Sequence, residues 1–435
     1  MYTPRAKNQI NKRSYPVRIE TLLNKVCRYK SFVYESVAEK HVGGRKAMVV
    51  NIRQRKNGQA ICSACGTPGK TYDHMKEARL FEFVPLWNIP VYFHYRMRRV
   101  DCKNCGVKVE RVPWAEGKSP VTKPFALFLA RWAKRLSWKE TAESFCTTWD
   151  TVYRSVKQVV EYGLNHRSMY GVTAIGVDEI QYGHGHQYLT LVYQINEGAR
   201  RLLFVGHDRK TKTLLRFFWE FGKERCDGLK FVCSDMWQPY IKVITKKAPH
   251  ALHILDRFHI IQKLGRAIDK IRATEIKQLA LDGYDESVLK NTKYCFLKNE
   301  ENLTEKQKTK LADVLQYDLK SVRAYLLKES FQLFWNYSSP HWAEWFLEKW
   351  CARAMRSRLD PIKSFVKTIR HHQPLIMNWF KAKKQFSSGI VEGMNRKINL
   401  VTRKSYGFRN YETLKIALFL TMGDLPEPEC THRFF

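Results

Sequence analysis

Residues 229–259, LKFVCSDMWQPYIKVITKKAPHALHILDRFH, decide how this chain folds. Two short apolar runs flank an amphipathic stretch, and each ends on a carboxylate, first Asp235 and then Asp256. Runs of this length and composition read as strands, and the stretch between them as a helix. Parallel strands joined by a crossover helix present their C-terminal ends at one sheet edge, where ligand sites of open α/β sheets collect. Two acids emerging side by side at such an edge could hold a divalent metal ion.

Composition narrows the partners. The 435 residues suffice for about two to four domains. An apolar content of 44% with 13% aromatic residues favours folded over disordered protein. Lys plus Arg outnumber Asp plus Glu by 76 to 41, a net charge of +35. That excess points to a polyanion, which means nucleic acid, because basic fields bind phosphate backbones by releasing counterions. The eleven cysteines include two Cys-x-x-Cys pairs and seven scattered residues, a usage that suits a reducing compartment better than a disulfide framework. Arg5, Lys7, Lys12 and Arg13 are not followed by the apolar core of a signal peptide, and no apolar run approaches the ~18 residues of a membrane span. The expectation is a soluble intracellular protein, cytoplasmic in location.

Upstream of the opening stretch the pattern changes several times. Residues 1–47 read as a basic N-terminal segment with one amphipathic stretch, Ile19–Val26. Residues 48–115 carry short β-like runs (MVVNIR, LFEFVPLW, IPVYFHYRMRRV, VKVERV), with Cys62-Ser-Ala-Cys65-Gly and Cys102-Lys-Asn-Cys105-Gly among them. Each pair forms a knuckle whose glycine permits the tight turn, and two knuckles supply four thiolates for a tetrahedral structural zinc. Their long separation requires a hairpin, roughly Leu80–Val100, to fill the gap. His74 is a spare candidate ligand. Residues 120–168 have helical periodicity. Ser137-Trp-Lys-Glu140 is a capping box, and a brief turn separates its helix from the next, as in a helix-turn-helix. Thr151, Arg154 and Lys157 would line the outward face of the second helix, where DNA is read.

Residues 172–260 alternate as strands AIGVDEI, QYLTLVYQI and RLLFVGHD, a helix, and then the opening stretch. This is the order of an RNase H-like sheet, in which the first strand lies beside the fourth. Asp178 and Asp235 would then be neighbours. Residues 261–385 read as an all-α insertion with its own core of tryptophans and other aromatics. In residues 386–425, SSGIVEGMNRKINLVTRKSYGFRNYE, a helix carries Glu392, with Asn395 and Asn399 on one face and Arg396, Lys397, Arg403 and Lys404 as a positive flank. Residues 426–435 form a C-terminal tail. The fold class is therefore multidomain α/β: a zinc-ribbon-like domain, a helix-turn-helix, and an RNase H-like mixed sheet interrupted by helices.

Asp178, Asp235 and Glu392 would form an oxygen-rich cluster of the kind that Mg²⁺ or Mn²⁺ prefers. A pair of such ions activates the attacking oxygen and stabilises the leaving one in displacement at phosphorus. Asp256 and His259 stay open between a fourth acid with an imidazole at the scissile phosphate and a helix cap with a core-facing histidine. Glu179 should point to the opposite face of its strand, and His184 and His186 read as a hairpin loop.

The chain resembles bacterial insertion-sequence transposases of the DDE type, in particular the ISL3 family. The resemblance rests on GVDEI, SDMWQPYIK, ILDRFHI and GIVEGMNRKINLVTRKSYGFRNYE, with the paired cysteines and LARWAKRLSWKETA. It implies that Asp178, Asp235 and Glu392 are the catalytic triad, that Asp256 and His259 belong to an Asp-x-x-His signature, and that zinc and helix-turn-helix modules precede them. It further implies action as a homodimer or larger oligomer on double-stranded DNA, both terminal inverted repeats and target. A transposase-derived DNA-binding regulator or an RNase H-like structure-selective nuclease are the alternatives.

Overall fold

In the computed structural model, which describes residues 18–183, 187–383, 388–405, 407–408 and 410–429, the chain divides into two units. One comprises Met1–Arg167 with Glu412–Thr421 and Leu425–Phe435, the other Ser168–Tyr411 with Met422–Asp424.

The N-terminal unit begins with α1 (Ile19–Val26) and the hairpin β1 (Phe32–Val42) and β2 (Arg45–Gln54). The hairpin turns on Gly43 and Gly44, at φ 58° and 81°, a region that costs glycine nothing. Then come β3 (Ala60–Ile61), β4 (Pro68–His74), β5 (Arg79–Leu86), β6 (Ile89–Tyr95), β7 (Arg98–Cys102) and β8 (Gly106–Val109). They form two four-stranded sheets, ordered β1-β2-β6-β5 and β3-β4-β7-β8. The sheet structure thus starts at Phe32, inside the stretch expected to be only a basic N-terminal segment. Phe32 and Tyr34 are buried, whereas Glu35, Glu39 and Lys40 are exposed, so the charged outer residues mask the strand in the sequence. The single run IPVYFHYRMRRV is two strands, β6 and β7, which belong to different sheets. Trp114, fully buried, is ringed by Phe32, Phe81, Phe93 and Tyr95.

Three helices follow, α2 (Lys123–Ala133), α3 (Trp138–Ser144) and α4 (Trp149–His166). The capping box forms as expected: Glu140 N–H donates to Ser137 Oγ at 3.2 Å, and Ser137 N–H donates to Glu140 Oε2 at 2.8 Å. Helix α4 buries Val152, Val156, Val159 and Val160, which recur at helical spacing.

The second unit is built on β9 (Ala174–Gln181), β10 (Tyr188–Asn196) and β11 (Ala199–His207), followed by α5 (Thr211–Phe221), α6 (Lys223–Asp227), β12 (Phe231–Ser234), α7 (Gln238–Lys247) and β13 (Leu252–Leu255). The sheet order is β11-β10-β9-β12-β13. The first three strands are antiparallel, while β12 runs parallel to β9 and β13 parallel to β12. The first strand does lie beside the fourth. Six helices come next, α8 (Arg257–Leu281), α9 (Lys293–Leu297), α10 (Glu305–Leu315), α11 (Lys320–Gln332), α12 (Pro340–Met355) and α13 (Asp360–Lys381).

These helices do not have a core of their own. One apolar cluster runs from Phe331, Trp335, Trp350 and Trp379 into Ile254 and Leu255 of β13 and Ile241 of α7. The reason is that β13 is the edge strand and needs cover, which α13 supplies. Not every tryptophan is core, since Trp342 and Trp345 are 55% and 48% exposed. Helix α14 (Ser388–Lys404) returns to the sheet, and α15 (Tyr411–Met422) ends the described helices. A Cβ at Gly176 of β9 would lie 2.9 Å from Val391 Cγ2, so this glycine is what lets α14 approach so closely. Among the described residues no helix is long and apolar enough to cross a membrane.

Candidate active site

Strand β9 continues past Asp178 to Gln181 on its β10 side, rather than ending at the acid. Its pairing with β12 stops at Gly176–Cys233, so Asp178 sits where its other neighbour has already left the sheet. Asp235 follows β12 directly, and its Oδ1 accepts from Trp237 N–H at 3.0 Å. Asp256 follows β13 and caps α8, accepting from Phe258 N–H at 2.7 Å. One turn into that helix, His259 Nε2 lies 3.8 Å from Asp178 Oδ1 and 3.8 Å from Asp256 Oδ2. Asp256 is therefore a helix cap, and the histidine one turn on faces Asp178. Asn395 of α14 donates to Asp178 Oδ2 and accepts from the Tyr193 hydroxyl at 2.8 Å. Glu392 lies one turn before Asn395 on α14; its side chain is outside the described residues, as are His184 and His186.

Glu179 faces other partners than Asp178, as strand alternation requires. It pairs with Arg209, whose Nη2 is 3.6 Å from Asp235 Oδ2 and whose guanidinium stands 4.5 Å over the Trp237 ring. Sequence reasoning missed Arg209, which sits in the loop after β11 with no motif around it. Tyr193 was missed too, being one more apolar-run residue of β10. The acids share one field. Burial, with the charges of Asp235 and Asp178, pushes Glu179 up to about 7 against the opposing pull of Arg209. Burial also raises Asp235, with Asp178 adding to it, while the Trp237 N–H, His259 and Arg209 oppose. Burial alone would lower His259, but its contact with Asp178 and the charges of Asp256, Asp178 and Asp235 outweigh that and raise it. Among the described residues these acids do not close into a metal-sized group, yet carboxylate oxygens are the donors that a hard divalent ion takes.

A family profile described as Transposase, of the ISL3 DDE type, matches residues 175–418, a span that contains Asp178, Glu179, Asp235, Asp256 and Glu392. The chain belongs to the ISL3 family of DDE transposases. It is 26% identical over 354 residues to the transposase for insertion sequence element IS1001 of Bordetella parapertussis, covering 81% of this chain and 86% of that protein. It is 28% identical over 409 residues to the transposase for insertion sequence element IS1557 of Mycobacterium tuberculosis, covering 88% and 90%.

This ISL3 transposase gathers its two cysteine pairs into one cluster. The Sγ atoms of Cys62, Cys65, Cys102 and Cys105 all lie within 4.8 Å of one another, close to the separation of about 3.8 Å that tetrahedral Zn–S bonds impose. Gly66 and Gly106, at φ 75° and 70°, close the two knuckles, and pairing of β4, β7 and β8 brings them together. The gap is filled by the β5–β6 hairpin, near the expected place. His74 is not in the cluster and lies 3.4 Å from Gln54 Nε2. Thr151, Arg154 and Lys157 stand on the outward side of α4, Arg154 pairing with Asp150 at 2.7 Å and Lys157 with Glu161 at 3.7 Å. Such exposed pairs are weak. On α14, Arg396, Lys397 and Arg403 are exposed and Lys404 is half-buried.

Proposed function

We propose that this family member is the transposase of its own insertion sequence, which binds the element's terminal inverted repeats and carries out Mg²⁺-dependent strand cleavage and strand transfer. The observation that supports this reading is the tether from Asn395 to Asp178, which sets the helix of Glu392 against the sheet edge where Asp178, Asp235 and Asp256 gather. On this reading Asp178, Asp235 and Glu392 hold the metal, since position 392 shares a helix face with Asn395. Bound there, Mg²⁺ or Mn²⁺ supplies Lewis-acid stabilisation of charge at phosphorus and a more acidic attacking hydroxyl.

The chain's own groups do the rest. His259 sits against Asp178 and can donate to a phosphate oxygen. Arg209 neutralises Glu179 and Asp235 before the ion arrives. The sheet with α14 is taken as the RNase H-like catalytic domain and α2–α4 as the helix-turn-helix, with Thr151, Arg154 and Lys157 reading DNA and the cations of α14 positioning its backbone. Zinc at the four cysteines is a structural ion that orders the small β-sheets. The deciding test is cleavage of DNA that carries the native element ends, with Mg²⁺. Activity in the wild type and its loss in Asp178→Asn, Asp235→Asn and Glu392→Gln is expected. Full activity in any of the three would refute the triad.

A further inference from the structure

Between the α1–β1 connection and the chain that leaves β8, the N-terminal unit holds a cleft of about 480 Å³ that no role above uses. Five of its lining residues are cations, Arg28, Lys30, Arg98, Arg111 and Lys123, against a single carboxylate, Glu110. That carboxylate is already engaged. It accepts from Arg98 Nε at 2.9 Å, from Arg98 N–H at 2.6 Å and from the Tyr95 hydroxyl at 2.7 Å. Arg98 and Glu110 are 3% and 2% exposed, and Arg98 Nη1 is held by the Gly58 carbonyl at 2.9 Å. Its Nη2, despite the ion pair with Glu110, lacks an aligned hydrogen-bond acceptor. Lys123 pairs with Glu116 at 3.2 Å, whereas Arg28, Lys30 and Arg111 have no carboxylate partner among the described residues.

Besides the polar Ser31 and Gln59, the remaining wall is apolar, with Tyr29, Val112 and Pro113 among its residues and Tyr29 braced 5.4 Å from the Trp114 ring. A bare phosphate would leave most of such a volume empty, and duplex DNA offers phosphates without a free base face. Cations beside an aromatic wall suit a nucleotide whose base has left the stack. We infer that this cleft binds an unpaired nucleotide of single-stranded DNA, its phosphate on Arg28, Lys30 and Arg111 above a fixed Arg98, its base against Tyr29. The inference rests on the reading of the protein as a DNA transposase and gives that enzyme a second DNA contact for strands opened during cleavage. Cys62 bridges to Glu110, and Arg111 N–H donates to the Ile61 carbonyl at 2.7 Å, so the first cysteine knuckle braces the cleft.

The test uses the full chain loaded with metal and compares anisotropy titrations of a short single-stranded oligonucleotide with those of a blunt duplex carrying the element ends. Arg28→Ala/Arg111→Ala, both exposed positions, should weaken single-strand binding about tenfold, the worth of one lost charge-assisted bond to phosphate, and duplex binding less than about twofold. Lys40→Ala/Lys118→Ala removes the same charge elsewhere on this unit and should leave both unchanged. Equal losses on both DNAs, or loss on neither, overturn the cleft. A wild-type protein that binds neither DNA strikes at the transposase reading itself.

Discussion

One compact group of metal-type ligands and one looser set of acids in this protein are built in opposite ways. In the N-terminal unit four cysteines converge from two knuckles, and the candidate ligands are all sulfur. In the second unit the carboxylates come from β9, the end of β12 and the cap of α8, and cations are already among them, with His259 beside Asp178 and Arg209 beside Glu179 and Asp235. Four soft ligands complete a tetrahedron and leave no place for substrate, which is how structural ions are held. Oxygen ligands for a hard ion leave coordination places to water and phosphate, which is how catalytic ions are held. The contrast teaches that the ligand count and the neighbouring charges, rather than the presence of ligands, separate scaffold from chemistry.

Breaking the first site should have the largest effect. Cys102→Ser removes one of four ligands, and structural zinc contributes on the order of 10 kcal/mol to folding in small domains. The variant is expected to lose its metal and the cooperative melting of the N-terminal unit. Unchanged metal content and calorimetry would place the cysteines outside any metal site. Next in size, Asp235→Asn should lower cleavage by more than about 100-fold, beyond what an outer-sphere loss costs, while binding of element ends stays within about twofold. Loss of end binding alongside cleavage would mean that the acid site supports the fold.

A smaller effect sharpens the contrast. Asn395→Ala removes the donor to Asp178, and a supporting loss of this kind costs roughly 10–100-fold. Its signature is weaker Mg²⁺ dependence of cleavage with unaltered melting of the N-terminal unit. Least of all is a half-buried acid, Glu82, that has no ion-pair partner among the described residues. Burial pushes Glu82 up to about 7 from its ordinary 4.5. Since folding raises this pKa, the protonated form favours the folded state. The cost of its charge is therefore absent below 4.5 and complete above about 7, so stability falls as pH climbs through that window. Glu82→Gln should flatten the slope and stabilise the N-terminal unit at pH 8 by roughly 1 kcal/mol, a figure discounted for partial exposure. Parallel pH curves for variant and wild type would count against it.

Much of this was readable from residues 229–259 and their neighbours. The apolar runs ending on Asp235 and Asp256 found β12 and β13, and the order of segments placed the first strand of the sheet beside the fourth. Other parts resisted reading. Strand β1 carries charge on its open face, so its period is masked. The helical segment looked self-contained because its aromatics are dense, yet its core extends into β13.

What the sequence determined by itself is whatever depends on near neighbours: the knuckle spacing with its glycine, the capping box, and the strand that ends on an acid. Those features are local because turn geometry and hydrogen bonds at helix ends span only a few residues. What only tertiary structure decided is who answers each buried charge. Arg209 reaches Glu179 and Asp235, Asn395 reaches Asp178, and Glu110 fixes Arg98, all across separations that no local period records. The physical reason is that a charge taken out of water must find a partner in space, and the fold alone sets which residues lie within reach.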